Sequence, residues 1–259
     1  MIATQSDVFI ASAPVVVLDP GHGADELGAV ANGVVERDSN LDMAKRVQAL
    51  LEADGVKVVL TRTTDGRADG LRTDGMDLLT ATFADLQARV ARSNQARANV
   101  FVSLHSNSFD DPSVRGIDVW YDSQRPFSDR NYSLATLLST EVADELSTAG
   151  FPVPTSEARD ELGSVDAAGR TTPYFVLGSS RVVARSELAD RGVSAGALGI
   201  PAAGTEYRTN ETNAPGAILE LLYISNEEDA AMLRDPDARA AMARGIAQAI
   251  LTTLGRSPA

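Results

Sequence analysis

Val15-Val16-Val17-Leu18-Asp19-Pro20-Gly21-His22-Gly23 opens with a short apolar run, is cut off by Pro20-Gly21, and places an imidazole just beyond the cut. A run of this length, bounded by turn residues, predicts a buried strand. After a Gly-containing loop, Asp38 or Ser39 can cap a helix whose apolar positions Leu41, Ala44, Val47, Leu50 and Leu51 follow helical spacing. Gly55 ends that helix, and Val56 to Leu60 predicts the next strand. Leu86 to Ala98 carries Leu86, Val90 and Ala91 on one side and Arg89, Arg92 and Arg97 elsewhere, the pattern of an amphipathic helix. Val100 to Leu104 and Ile117 to Tyr121 are further strands, Leu134 to Leu146 a helix, Ala217 to Leu222 a strand, and Asp237 to Leu254 an Ala-rich closing helix. Strands separated by helices of this length imply βαβ units. The expected fold is α/β: a single domain with a central, mostly parallel twisted sheet flanked by helices. It should occupy residues 14–256, after an N-terminal segment of residues 1–13. Thr64 to Ala84 and Gly178 to Pro215 break the rhythm and are expected to be loops.

The chain has 259 residues and a formal charge of -13, from 23 basic and 36 acidic side chains. That balance argues against nucleic-acid partners, whose phosphates require clustered Lys and Arg. It argues equally against electrostatic capture by anionic membranes or wall polymers. No stretch approaches the roughly 18 to 20 continuous apolar residues of a membrane span, so no membrane insertion is expected. Met1 to Ala13 lacks the basic and long apolar regions of an intact secretory signal. The chain is therefore expected to stay inside the cell or to be a mature form. With no cysteine, any metal must be held by His and carboxylate.

The two histidines, His22 and His105, are the only ones in the chain, and each follows an apolar run. In an open α/β sheet, ligands gather at the carboxyl ends of strands. Two imidazoles at such ends point to a metal site, and a hydrolytic zinc site needs a third protein donor and one open position. Glu36, just before the first helix, is placed to supply it, although a carboxylate there also suits a helix start. Glu220 is embedded in Ala217-Ile218-Leu219-Glu220-Leu221-Leu222. It is either an outward-facing residue of a half-exposed strand or a general base and acid beside the metal water. A nucleotide-binding reading of Gly21-His22-Gly23 lacks the further glycine or Lys-Ser/Thr that completes a phosphate cradle.

The ordered set of motifs closely resembles the zinc-dependent N-acetylmuramoyl-L-alanine amidases, which cut the glycan from the stem peptide of peptidoglycan. The resemblance is carried by Leu18-Asp19-Pro20-Gly21-His22-Gly23, Glu36 with Asn40-Leu41, Leu60-Thr61-Arg62, and Arg92-Ser93-Asn94-Gln95-Ala96-Arg97-Ala98-Asn99. It continues through Val102-Ser103-Leu104-His105-Ser106-Asn107, Gly116-Ile117-Asp118-Val119-Trp120-Tyr121, Ile218-Leu219-Glu220-Leu221 and Ile224-Ser225-Asn226. It implies one Zn²⁺ per chain on His22, Glu36 and His105, with Glu220 as catalytic acid and base. It also implies a peptidoglycan or muropeptide substrate and an extracytoplasmic mature enzyme acting as an autolysin or as a phage endolysin; a monomer is the default expectation. The alternative is an inactive or autoinhibited amidase-like domain that binds wall precursors or regulates a partner. Ser106 and Asn107 are candidate substrate contacts, and Arg62 a structural ion-pair partner. Two stretches depart from the family pattern: an excursion near residues 66–82, and residues 178–215 before the Glu-bearing strand, expected over or beside the cleft.

Overall fold

A computed structural model describes residues 13–160, 176–201 and 206–257. Nearly all of the expected N-terminal segment lies outside the described residues, as do residues 161–175 and 202–205. The elements are β1 (Val15–Pro20), β2 (Val30–Ala31), β3 (Val34–Val35), α1 (Glu36–Ala53), β4 (Lys57–Leu60), α2 (Leu78–Ala96), β5 (Val100–Asn107) and β6 (Ile117–Tyr121). They continue with α3 (Ser128–Thr148), β7 (Arg159–Asp160), β8 (Val182–Ala184), α4 (Arg185–Asp190), β9 (Glu206–Arg208), β10 (Gly216–Tyr223), α5 (Glu227–Arg234) and α6 (Pro236–Thr253).

Six strands form one central sheet in the order β4-β1-β5-β10-β6-β7. Strands β4, β1, β5 and β10 run parallel, as helix crossovers require. The pairing of β6 with β10 is antiparallel, so the sheet is mixed at that edge. The reason is local: residues 108–116, between β5 and β6, hold no helix to carry the chain back across the sheet. Alternation along each strand sorts side chains to two faces. Val16, Leu18, Val102, Leu104, Ala217 and Leu219 enter the main core with α1, α3 and α6. Val17, Phe101 and Ile218 face the other way, towards α2. Asp19, His105 and Glu220 follow by twos on that second face, where one helix leaves part of the sheet uncovered.

Three expectations change in the structure. Helix α1 starts at Glu36 and not at Asp38 or Ser39; Val35 is its N-cap and offers no side-chain acceptor. Helix α2 begins at Leu78, capped by Asp77, whose carboxylate accepts the Thr80 N–H, so the end of the expected Thr64–Ala84 loop is helical. Leu78 and Leu79 are exposed, which hides the helical period from the sequence. Within residues 178–215, β8, α4 and β9 enclose a small core of Val183, Leu188, Val193 and Ala195 packed with Phe83 of α2. Ser194 N–H donates to Thr80 Oγ1, and Asn210 N–H to Gln87 Oε1. This extension thus supports α2 from beside the cleft.

Helices α3 and α6 approach so closely that a Cβ added at Gly245 would lie 2.5 Å from Val142 Cα. Helix propensity alone would favour Ala over Gly by about 1 kcal/mol, whereas overpacking costs about 1–3 kcal/mol. Gly245→Ala is therefore expected to destabilise the protein in urea unfolding, and a raised midpoint would refute this close packing.

Candidate metal centre

The centre begins with the turn after β1. Gly21 N–H donates to Leu104 O at 2.8 Å, extending the β1–β5 pairing by one residue and setting the next residue of β5, His105, over the turn. A Cβ at Gly21 would sit 2.2 Å from His105 Cε1, so only glycine leaves room for that ring. His22 follows with φ 64°, a left-handed conformation that costs a side-chain-bearing residue about 1–2 kcal/mol.

Two buried arginines hold the strained turn. Arg62 donates to Pro20 O and Gly21 O, each at 2.9 Å, and to Arg37 O at 2.7 Å. Arg89 donates to Pro20 O at 2.7 Å and His22 O at 2.6 Å, and pairs with Asp19 and Asp85, each at 2.8 Å. The expected ion pair of Arg62 is thus replaced by backbone carbonyls, and Arg89, expected off the apolar side of its helix, is 1% exposed. Burial, with the Arg89 charge alongside, lowers Arg62 to about 10. Burial would raise the Asp19 carboxyl, but Arg89, Thr61 and Ser103 hold it below its usual range. Asp85 and Arg89, four apart on one helix, were a readable pairing signal, but nothing in the sequence said that the pair is buried.

Glu36 is the first residue of α1 and is buried. Its Oε2 accepts Ala29 N–H at 2.8 Å, and its Oε1 accepts Ser106 N–H at 3.2 Å. Oε1 also lies 2.8 Å from His22 Nε2 and 3.0 Å from His105 Nδ1. Burial alone would lower the His22 pKa, but hydrogen bonds to Glu26 and Glu36 raise it to about 9. Burial would raise Glu36, yet His105 and His22 hold it far below the ordinary carboxylate range. Donor atoms of His22, Glu36 and His105 all fall within 4.8 Å of one another, and this is the only such group of three among the described residues. Two imidazoles and a carboxylate are a standard donor set for an open zinc site, so these residues fit the metal.

Glu220 pairs in register with His105 on one side and Asp118 on the other. Just beyond it β10 shifts register and Leu222 takes φ 67°. Burial raises its carboxyl to about 7. Among the described residues it has no hydrogen-bond or ion-pair partner. Asp118 instead gathers Ser156 Oγ at 2.5 Å, Arg159 at 2.9 Å, and the Tyr223 hydroxyl. A cleft of about 830 Å³ opens over the centre, walled by Leu78, Leu79 and Leu86 of α2 and floored by His22, His105 and Glu220. Ser106 and Asn107 line it, and the Asn107 amide also reaches Asp118 at 3.4 Å. No described residue of 178–215 lines it. The sequence reading missed Glu26, whose Oε2 lies 2.6 Å from His22 Nδ1.

The chain is similar in sequence and fold to known proteins. The family model for N-acetylmuramoyl-L-alanine amidase matches residues 16–161 and 177–252. N-acetylmuramoyl-L-alanine amidase LytC of Bacillus subtilis (strain 168) is 34% identical over 167 residues, covering 64% of this chain and 27% of that protein. The chain thus spans about a quarter of the length of this curated relative. N-acetylmuramoyl-L-alanine amidase AmiC2 of Nostoc punctiforme superposes with a TM-score of 0.62 at 27% identity, covering 94% of this chain and 98% of that one. The CwlD amidase of Clostridioides difficile, solved with the GerS lipoprotein, gives 0.67 at 20% identity over 93% and 98% of the two chains, a likeness of fold.

Two outcomes follow. Glu220 has a folded pKa above its ordinary value, so its contribution to stability is fully present below about pH 4.5 and is lost as pH rises through about 7. Glu220→Gln should therefore stabilise the metal-free protein by about 3 kcal/mol at pH 8 and by almost nothing at pH 4. Equal urea midpoints at pH 8 would show that the carboxylate is well solvated. Arg89→Leu leaves Asp19 buried without its cation and should cost about 3–5 kcal/mol; an unchanged midpoint would mean that the turn does not depend on it.

Proposed function

The chain belongs to the N-acetylmuramoyl-L-alanine amidase family, and on that premise we propose that it is a zinc-dependent amidase of peptidoglycan. The bond cut joins the lactyl carbonyl of N-acetylmuramic acid to the nitrogen of L-alanine. The observation that carries the proposal is the convergence of His22, Glu36 and His105 beside a carboxylate, Glu220, that has no partner among the described residues.

His22, Glu36 and His105 would hold the metal. Bound there, zinc lowers the pKa of water towards neutrality and polarises the amide carbonyl. Glu220 accepts the proton of the attacking water and delivers it to the alanine nitrogen as the C–N bond breaks. The products are the lactyl carboxylate and the free amine of the stem peptide. A general base works best with a pKa near the working pH, and burial supports that role for Glu220. Asp118 is taken up by Tyr223, Ser156 and Arg159 and does not line the cleft, whereas Glu220 does. Ser106 and Asn107 line the cleft and are proposed to meet substrate there, with Ser106 also steadying Glu36 through its backbone.

The inactive or autoinhibited alternative is not favoured: His22, Glu36 and His105 lie together, Glu220 lines the same cleft, and that cleft is open among the described residues. No described helix is long and apolar enough to cross a membrane. We propose that the protein acts outside the cytoplasm, as a monomer, where its substrate lies.

The test is digestion of purified peptidoglycan followed by chromatography and mass spectrometry. Wild type with zinc should release stem peptides bearing a free N-terminal alanine, chelation should abolish release, and zinc should restore it. Glu220→Gln should bind zinc normally and lose about 10²–10⁴-fold in rate. Release from the variant at the wild-type rate, or cleavage of a different bond, would overturn the assignment.

A further inference from the structure

His105 and His22 are held in unlike ways. His105 belongs to a central strand, and its ring rests on the bare backbone of Gly21. His22 lies in a loop beyond its strand, in a left-handed conformation, with its ring 19% exposed. Its ring position depends on what grips the nitrogen facing away from Glu36. That grip is Glu26, whose Oε2 lies 2.6 Å from Nδ1, while Nε2 faces Glu36.

The chain makes Glu26 a rigid partner. Gly23 and Glu26 exchange backbone hydrogen bonds at 3.0 and 3.1 Å, folding the turn back over His22. Ala24, at φ 54°, donates to Asp65 O at 2.6 Å and accepts from Arg37 at 2.6 Å. Asp25 is pinned by Arg67 at 2.8 Å. Three outside contacts thus fix a four-residue turn whose last side chain points at the imidazole.

We propose that Glu26 is a positioning residue of the metal centre: its carboxylate keeps the hydrogen of His22 on Nδ1 and so presents Nε2, lone pair outward, to the cation. A carboxylate only accepts hydrogen bonds, so Nδ1 donates to Glu26; without metal Nε2 donates to Glu36 in the same way, and it is this second hydrogen that a cation displaces while Glu26 keeps the first. A ligating imidazole steadied this way is fixed in tautomer and made more basic, and loss of such a partner typically weakens metal binding by about 10–100-fold. Glu26 is not itself a donor to the cation, because the ring of His22 stands between its carboxylate and Glu36.

This inference rests on the zinc reading above, and its test separates the two. Zinc dissociation constants are measured by competition with a fluorescent chelator for wild type, Glu26→Ala and Glu26→Gln. Glu26→Ala should bind about 10–100-fold more weakly. Glu26→Gln retains a neutral acceptor and should fall between the two. The chain has only two histidines, so its ring nitrogens can be assigned by long-range ¹H–¹⁵N correlation. Zinc-loaded wild type should show His22 with Nδ1 protonated and Nε2 metal-bound, and Glu26→Ala should broaden or mix that state. Affinities within twofold of one another, or metal on Nδ1 of His22, overturn the proposal. A lower urea midpoint for Glu26→Ala, with affinity and nitrogen shifts unchanged, would reduce Glu26 to a loop brace and overturn it as well. Wild type that binds no zinc would remove the metal reading and this one together.

Discussion

The guanidinium of Arg89, sealed behind the turn that carries His22, is the contact on which the centre depends. It satisfies two backbone carbonyls of a strained loop and the two acids Asp19 and Asp85. Arg62 completes the clamp from the adjacent edge strand. Carbonyls that leave a sheet ladder inside a protein must find donors or cost free energy. Here two arginines supply those donors, and two buried acids offset the cost of burying Arg89. The same bonds leave the backbone of His22 little freedom to relax.

Around this clamp, the site gathers groups that would repel one another in isolation. Glu36 and Glu220 both border His105, and they respond in opposite directions. Glu36 is wrapped by two imidazoles and two backbone N–H groups and stays ionised, whereas burial outweighs the neighbouring imidazoles at Glu220 and pushes it up to about 7. Two carboxylates in one cleft thereby sit in opposite environments, one held charged and the other pushed towards its neutral form. Helix α2 serves both sides of this arrangement. Its inward face sends Arg89 under the turn, its first turns form the apolar wall of the cleft, and its outer side seats the small core of residues 178–215.

Much of this was legible beforehand. The strands around Val17, Val102 and Ile218 announced themselves as apolar runs, because a strand covered on both faces admits few polar residues. The two histidines were legible because the chain has no others and both end such runs. Glu36 and Glu220 remained ambiguous as isolated residues, since a first-turn carboxylate and a strand carboxylate each have an ordinary structural use. Arg89 looked like one more arginine off the apolar side of a helix. Glu26 carries no local signal, being one of two adjacent acids in a loop.

The sequence by itself determined the α/β layering, five of the six strands of the sheet, and the two imidazoles at strand ends. These follow from local patterns: apolar runs, turn residues, and rare imidazoles at strand ends. Tertiary structure alone decided that β6 runs against β10, that Arg89 is buried, that Glu26 turns back onto His22, and that Glu220 has no hydrogen-bond or ion-pair partner among the described residues. Each of those depends on distances between residues far apart in the chain or on the path of a turn, and burial and pairing at such distances leave no periodic signal in a sequence.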